Sequence, residues 1–164
     1  MDALNLLRGE TDLADGLMTQ VLAGVTDEQA VWQPAGDTTN PIASIAVHAY
    51  FTQDRFVARV AGRETVAESG GWAQRLGINP SNIWTPLTDR NMEIVRGYAA
   101  AVQEATRAFL DTFDPVRFDE DMELPFGRRT VGDGLGLALV VHKSAHLGEI
   151  AALVGAQGGK GLPI

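Results

Sequence analysis

The 164-residue chain contains no cysteine. That absence removes disulfides, thiolate metal ligands and a cysteine nucleophile, and it leaves the redox compartment undetermined by this route. Positive charge is scarce as well: 13 Lys and Arg stand against 21 Asp and Glu, a formal charge of −8. Such a balance repels phosphate backbones and anionic lipid, so neither nucleic acid nor a membrane is an expected partner. No run approaches the roughly 18 apolar residues that a membrane span needs. The opening MDALNLLRGE lacks a basic region followed by a continuous apolar one, so it does not resemble a signal peptide, and the cytoplasm is the expected location. Aromatic residues make up only 7% and histidines number three.

What is present is a 45% hydrophobic chain, long enough to build one sizeable core and typical in length of a single domain, here residues 1–164. Its patterning is helical. Leu7, Ala14, Met18, Val21 and Val25 lie on a common side of a helix predicted from Ala3 to Ala23. VTDEQAVWQP reads as one short helical turn capped by Thr26 and stopped by Pro34. A second long helix opens at TNPIASIAVH, with Asn40 as the cap and Pro41 at the first helical position, and closes at Gly62. In a third, predicted from Thr88 to about Phe113, Met92, Val95, Ala99, Val102, Thr106, Phe109 and Phe113 recur at alternating steps of three and four, the seam of a bundle helix.

The fourth long helix follows Thr130, which with Asp133 imitates a capping box, and runs to the glycines at 158 and 159. Leu135, Leu139, His142, His146 and Leu153 share one face of it. The other side, with Leu137, Val140, Val141, Leu147 and Val154, is apolar too, so the helix should be buried nearly all round, either centrally or against another subunit. Residues 62–87 make a long glycine-containing connection with two tryptophans. FDEDMELPFGRR suits a short hairpin turning at LPFG.

Two of the three histidines fall in VVHKSAHLGEI. At i and i+4, His142 and His146 project from one face with Cβ atoms roughly 5–6 Å apart, which lets both rings converge on one ion. A catalytic transition-metal site wants three protein ligands and one open position. The third ligand must come from elsewhere, and His48, the only other histidine, near the middle of the second long helix beside Ile45 and Thr52, is the candidate that bundle packing can bring opposite the pair. The competing reading is three half-buried rings bonded to carbonyls, since H-x-x-x-H arises often in helices. Against it, unsatisfied imidazoles on a core face would cost about 1–3 kcal/mol each. Glu149, one turn after His146, suits a ring N–H acceptor behind the metal or a fourth ligand; an exposed acid is the alternative.

NPIASIAVHAYFTQDRFV, with one histidine, followed by HKSAHLGEIAALVGAQGGKGLP, with H-x-x-x-H-x-G-[EQ]-I, resembles the DinB superfamily, which includes the YfiT-like enzymes. The resemblance covers essentially the whole chain. It implies an all-α fold, a four-helix bundle in up-up-down-down order with a long crossover, often a homodimer. It also implies a divalent metal, zinc or nickel, on three histidines, which carry over by motif to His48, His142 and His146. Relatives include bacillithiol transferases and mycothiol-dependent maleylpyruvate isomerases, so the implied activity is transfer of a low-molecular-weight thiol to a small electrophilic substrate. Metal-dependent hydrolysis, or metal-stabilised binding without turnover, are the alternatives. Many relatives place an acid shortly after the second-helix histidine, whereas this chain has AYFTQ before Asp54.

Other conspicuous groups have plainer readings. GDGLGLA has no preceding strand, and its glycines suit close helix contacts rather than a nucleotide loop. Asp119, Glu120, Asp121 and Glu123 lack the glycine and spacing of an EF-hand and suit protection of an exposed edge. Arg55, Arg59 and Arg63 suit a solvated helix face. Trp32, Trp72 and Trp84 suit loop anchors, or a pocket mouth.

Overall fold

A computed structural model describes residues 2–35, 39–78, 91–124 and 127–162. Trp84, Thr88 and the hairpin turn at Pro125 and Phe126 lie outside them. Four long helices carry the fold: α1 (Ala3–Ala23), α3 (Ile42–Ala61), α6 (Met92–Thr112) and a last helix built from α7 (Val131–Gly136), a π-helical stretch (Leu137–Val141) and α8 (His142–Ala156). Short helices α2 (Asp27–Val31), α4 (Val66–Ser69) and α5 (Trp72–Leu76) sit in the connections. A two-stranded antiparallel hairpin, β1 (Asp121–Leu124) and β2 (Gly127–Thr130), pairs Met122 with Arg129.

Local signals account for most boundaries. Thr26 caps α2 and Thr130 caps α7, each within a capping box completed by Gln29 and Asp133. Gly62, at φ 65°, closes α3 in the left-handed region that glycine enters without strain. At the start of α3 the expectation was off by one residue: Pro41 itself is the N-cap, and Asn40 supplies no cap bond. The 62–87 connection is not bare loop either, because Thr65 builds a further capping box for α4 and Gly71 starts α5.

Side-chain contacts give the helix directions. Arg8 of α1 donates to the Leu110 carbonyl near the end of α6 (2.6 Å), and Arg96 near the start of α6 donates to the Leu22 carbonyl (3.1 Å), so α1 and α6 are antiparallel. Lys143 meets Asp15 and Gln157 donates to the Gln29 carbonyl, a constant offset that makes the last helix parallel to α1. Phe56 abuts Gly134 while His48 meets His142, so α3 opposes the last helix. One apolar cluster gathers Leu4, Val57, Leu110 and Leu135 at one end of the bundle, and the larger one gathers Met18, Ile45, Val95 and Ile150 at the other. The order is therefore up-down-down-up rather than up-up-down-down. The reason is that up-up-down-down needs two crossovers along the bundle, and here a single one, from α3 to parallel α6, runs that length.

The last helix departs from the expected face. On an undistorted helix the core line Leu135, Leu139 would continue through His142 and His146. The π-helical stretch admits one extra residue, a lag of about 100°, and the line continues instead through Lys143, Leu147 and Ile150. Nor is the helix buried all round within one chain: Val141 is 60% exposed, and Ala145, Gly148 and Ala152 are exposed. By length and composition, Val131–Ala156 is apolar enough to cross a membrane, contrary to the expectation that no segment comes near. Its buried side is used as bundle core and carries an ion-paired lysine, with two half-buried histidines at its flank.

Candidate metal centre

The lag sets the site. Turned off the core line, His142 and His146 face α3 at the flank of the last helix, half-buried, and His48 of α3 meets them, buried. His48 Nε2 lies 3.1 Å from His142 Nε2, which lies 3.1 Å from His146 Nε2. The ligand atoms of all three rings lie within 4.8 Å of one another. Ring planes are inclined by 52° between His48 and His142 and by 81° and 86° for the pairs with His146, so the rings converge edge-on rather than stack.

Electrostatics keep two of these rings, His48 and His142, neutral. Burial, then the neighbouring His142 and His146, lowers the pKa of His48 from 6.5 to about 4. Burial, then His146, lowers that of His142 to about 4, against the opposing pull of Glu149. At neutral pH each offers a lone pair, the form that binds metal.

Proton bookkeeping shows why a cation fits. His146 Nδ1 is 2.5 Å from Glu149 Oε2. An ionised carboxylate only accepts, so His146 Nδ1–H donates and a neutral His146 presents a bare lone pair at Nε2. His142 Nε2 then has two nitrogen neighbours and at most one proton to serve them, so two well-aligned hydrogen bonds cannot form. A cation between the rings accepts all the lone pairs at once. Two imidazole nitrogens held about 2.0–2.1 Å from a tetrahedral ion lie about 3.3 Å apart, close to the contacts found. Glu149 lies behind His146 as the acceptor for its Nδ1, with its own side chain 56% exposed. His142 Nδ1 has no hydrogen-bond partner among the described residues.

Asp54 is engaged elsewhere. Its carboxylate accepts from Val66 N (2.8 Å), Ala67 N (2.9 Å) and the Tyr98 hydroxyl (3.1 Å), pinning α4 to α3 and α6. Burial pushes its pKa up. Trp72 is an anchor: its ring lies against Gly97, 6.1 Å from Tyr98 between centroids, under the Arg75 guanidinium. Trp32 is 37% exposed at the end of α2. Arg55 and Arg59 are exposed on α3, with Arg63 exposed just past its end. Gly134 and Gly132 make the close contacts expected of them, against Phe56 and Phe118, whereas Gly136 of the same stretch has nothing within 4 Å.

Sequence reasoning passed over one pair beside the site. Lys143, fully buried, forms an ion pair with Asp15, 2% exposed. Burial drives the Lys143 pKa down and the Asp15 pKa up, each opposed by the other's charge. The available signal was a lysine four residues from Leu139 and Leu147 in an apolar helix, with an acid between Ala14 and Met18.

Comparison with known proteins agrees with this architecture. A conserved protein from Enterococcus faecalis, solved by crystallography, superposes with a TM-score of 0.73 at 16% identity, over 94% of this chain and 99% of that one. At that identity the likeness speaks for the fold alone. No curated protein matches the chain. The DinB superfamily profile matches residues 10–150. With that match over most of its length, a helical bundle and a three-histidine cluster that fits a metal-binding protein, the chain belongs to the DinB superfamily.

Proposed function

We propose that His48, His142 and His146 hold one divalent cation, zinc or nickel, and that the protein transfers a low-molecular-weight thiol to a small electrophile. The observation that carries this reading is the convergence of three imidazoles, with the Nε2 atoms of His48 and His146 each 3.1 Å from His142 Nε2. A cation on three imidazoles keeps an open position at which a coordinated water or thiol becomes acidic near neutral pH.

The chain's own residues do the rest. Buried His48 is fixed in α3, and Glu149 holds the proton of His146 at Nδ1 so that Nε2 points inward. Partly exposed His142 and His146 leave the site reachable by a small molecule. In the reaction the thiol S–H bond breaks and the sulfur bonds to the electrophilic carbon, while that carbon's bond to its leaving group, or the ring or π bond attacked, breaks and the atom that takes its electron pair takes up the thiol's proton. We also propose a homodimer as the cover for exposed Val141 and Leu6, and a cytoplasmic location.

Elemental analysis of protein purified without an affinity tag tests the first step. About one divalent metal per chain is expected, and none in His48→Ala or His142→Ala. Loss of thiol in the presence of an electrophile, dependent on His142, tests the second. Metal without thiol turnover leaves a metal-stabilised binding protein, and absence of metal after incubation with zinc and nickel refutes the site.

A further inference from the structure

The π-helical stretch poses a question of register. The last helix could continue its core line through His142 as an unbroken α-helix, with better backbone hydrogen bonding. His142 and His146 would then turn toward the bundle axis and away from α3. In the register found, the residue on the axis is Lys143, and an ammonium there needs an anion. Asp15 supplies it from α1. The Lys143 Nζ also lies 5.2 Å from the centre of the Tyr50 ring, and the Tyr50 hydroxyl accepts from Gln103 Nε2 (2.7 Å), which also reaches Thr19 Oγ1 (3.1 Å). All four long helices meet in this polar layer. It adjoins the histidines in sequence on both sides: Lys143 follows His142, and Tyr50 is two residues from His48.

We infer that the Asp15–Lys143 pair is the register lock of the last helix: by requiring Lys143 on the bundle axis, it holds the π-helical lag and so aims His142 and His146 at His48. Both are positioning residues, and neither touches the metal. The inference rests on the proposed metal site. A buried ion pair is a natural device for this, because its net contribution to stability is small while a wrong register leaves a charge buried and unpaired.

The two roles separate experimentally. If the pair were only a structural bridge, replacing both partners by apolar residues of similar size, as in Asp15→Leu/Lys143→Met, would leave stability equal or higher and metal binding untouched. The lock requires that the double variant stay folded, with far-UV circular dichroism and Tm near wild type, yet bind Co²⁺ at least about 10-fold more weakly and with an altered visible absorption spectrum. Should the double variant not fold, the uncharged pair Asp15→Asn/Lys143→Gln carries the same expectation of weaker Co²⁺ binding in a folded protein. Wild-type Co²⁺ affinity and spectrum in a folded variant overturn the lock and leave the metal site standing. A wild-type protein that takes up no Co²⁺ overturns the metal site itself, and the lock with it.

Discussion

Glu149→Ala isolates one prediction that the geometry makes quantitative. The carboxylate does not face the metal position; it accepts the Nδ1 proton of His146 and thereby selects the tautomer whose Nε2 points inward. Removing such an outer partner costs about 10–100-fold in metal affinity, or about 1.4–2.7 kcal/mol. The Glu149 side chain is 56% exposed, so solvent screens the interaction and the lower end applies: about 10-fold. Glu149→Gln keeps an acceptor without the charge and should fall between wild type and Ala. Because the contact is superficial, the metal-free Tm should move little, by less than about 1 kcal/mol of stability. Co²⁺ competition against a chromophoric chelator measures the affinities, and ¹⁵N correlation spectra of the imidazoles in metal-free protein report the tautomer directly. Unchanged Co²⁺ affinity in Glu149→Ala, or a His146 proton found on Nε2, would refute the reasoning.

Three further outcomes follow from the same coordinates. At free metal about 100 times Kd, binding adds about 2.7 kcal/mol of stability, which for a chain of this size raises Tm by about 5–11 °C; a chelator should reverse the rise and His142→Ala should abolish it in calorimetry. Metal-free protein should lose stability as pH falls from 6.5 toward 4, because His48 and His142, held down to about 4 when folded, protonate first in the unfolded chain; NMR titration midpoints near 6.5 for both rings would contradict this. Gly134→Ala places a Cβ 2.2 Å from Phe56 Cζ, an overpacking that should cost about 1–3 kcal/mol in urea melts, whereas Gly136→Ala, with nothing within 4 Å, should not be destabilising.

Much of the fold was legible in the residues, and so was the membership of the site. The cap at Thr26, the capping box at Thr130, the closing Gly62 and the seam from Met92 to Phe113 are local patterns, and local patterns act over a turn or two whatever surrounds them. The i, i+4 spacing of His142 and His146 belongs to the same class. Other features depend on distant parts of the chain. Asn40 was the expected cap with Pro41 just inside the helix, whereas Pro41 itself stands at the cap of α3. Residues 62–78 hold two short helices because Asp54 bonds the backbone of Val66 and Ala67 and Trp72 packs on Gly97. Asp54, the first acid after His48, is occupied by the same bonds.

By itself, then, the sequence determined where helices start and stop, which residues are apolar, and that three imidazoles were the available ligands, since these rest on short-range sterics and hydrogen bonding. Only the tertiary structure decided the helix directions, the one-residue lag before His142 and the meeting of His48 with the other two rings. Each of those depends on which surfaces pack together and on Lys143 finding Asp15 128 positions away, a free-energy balance among distant groups that no stretch of neighbouring residues contains.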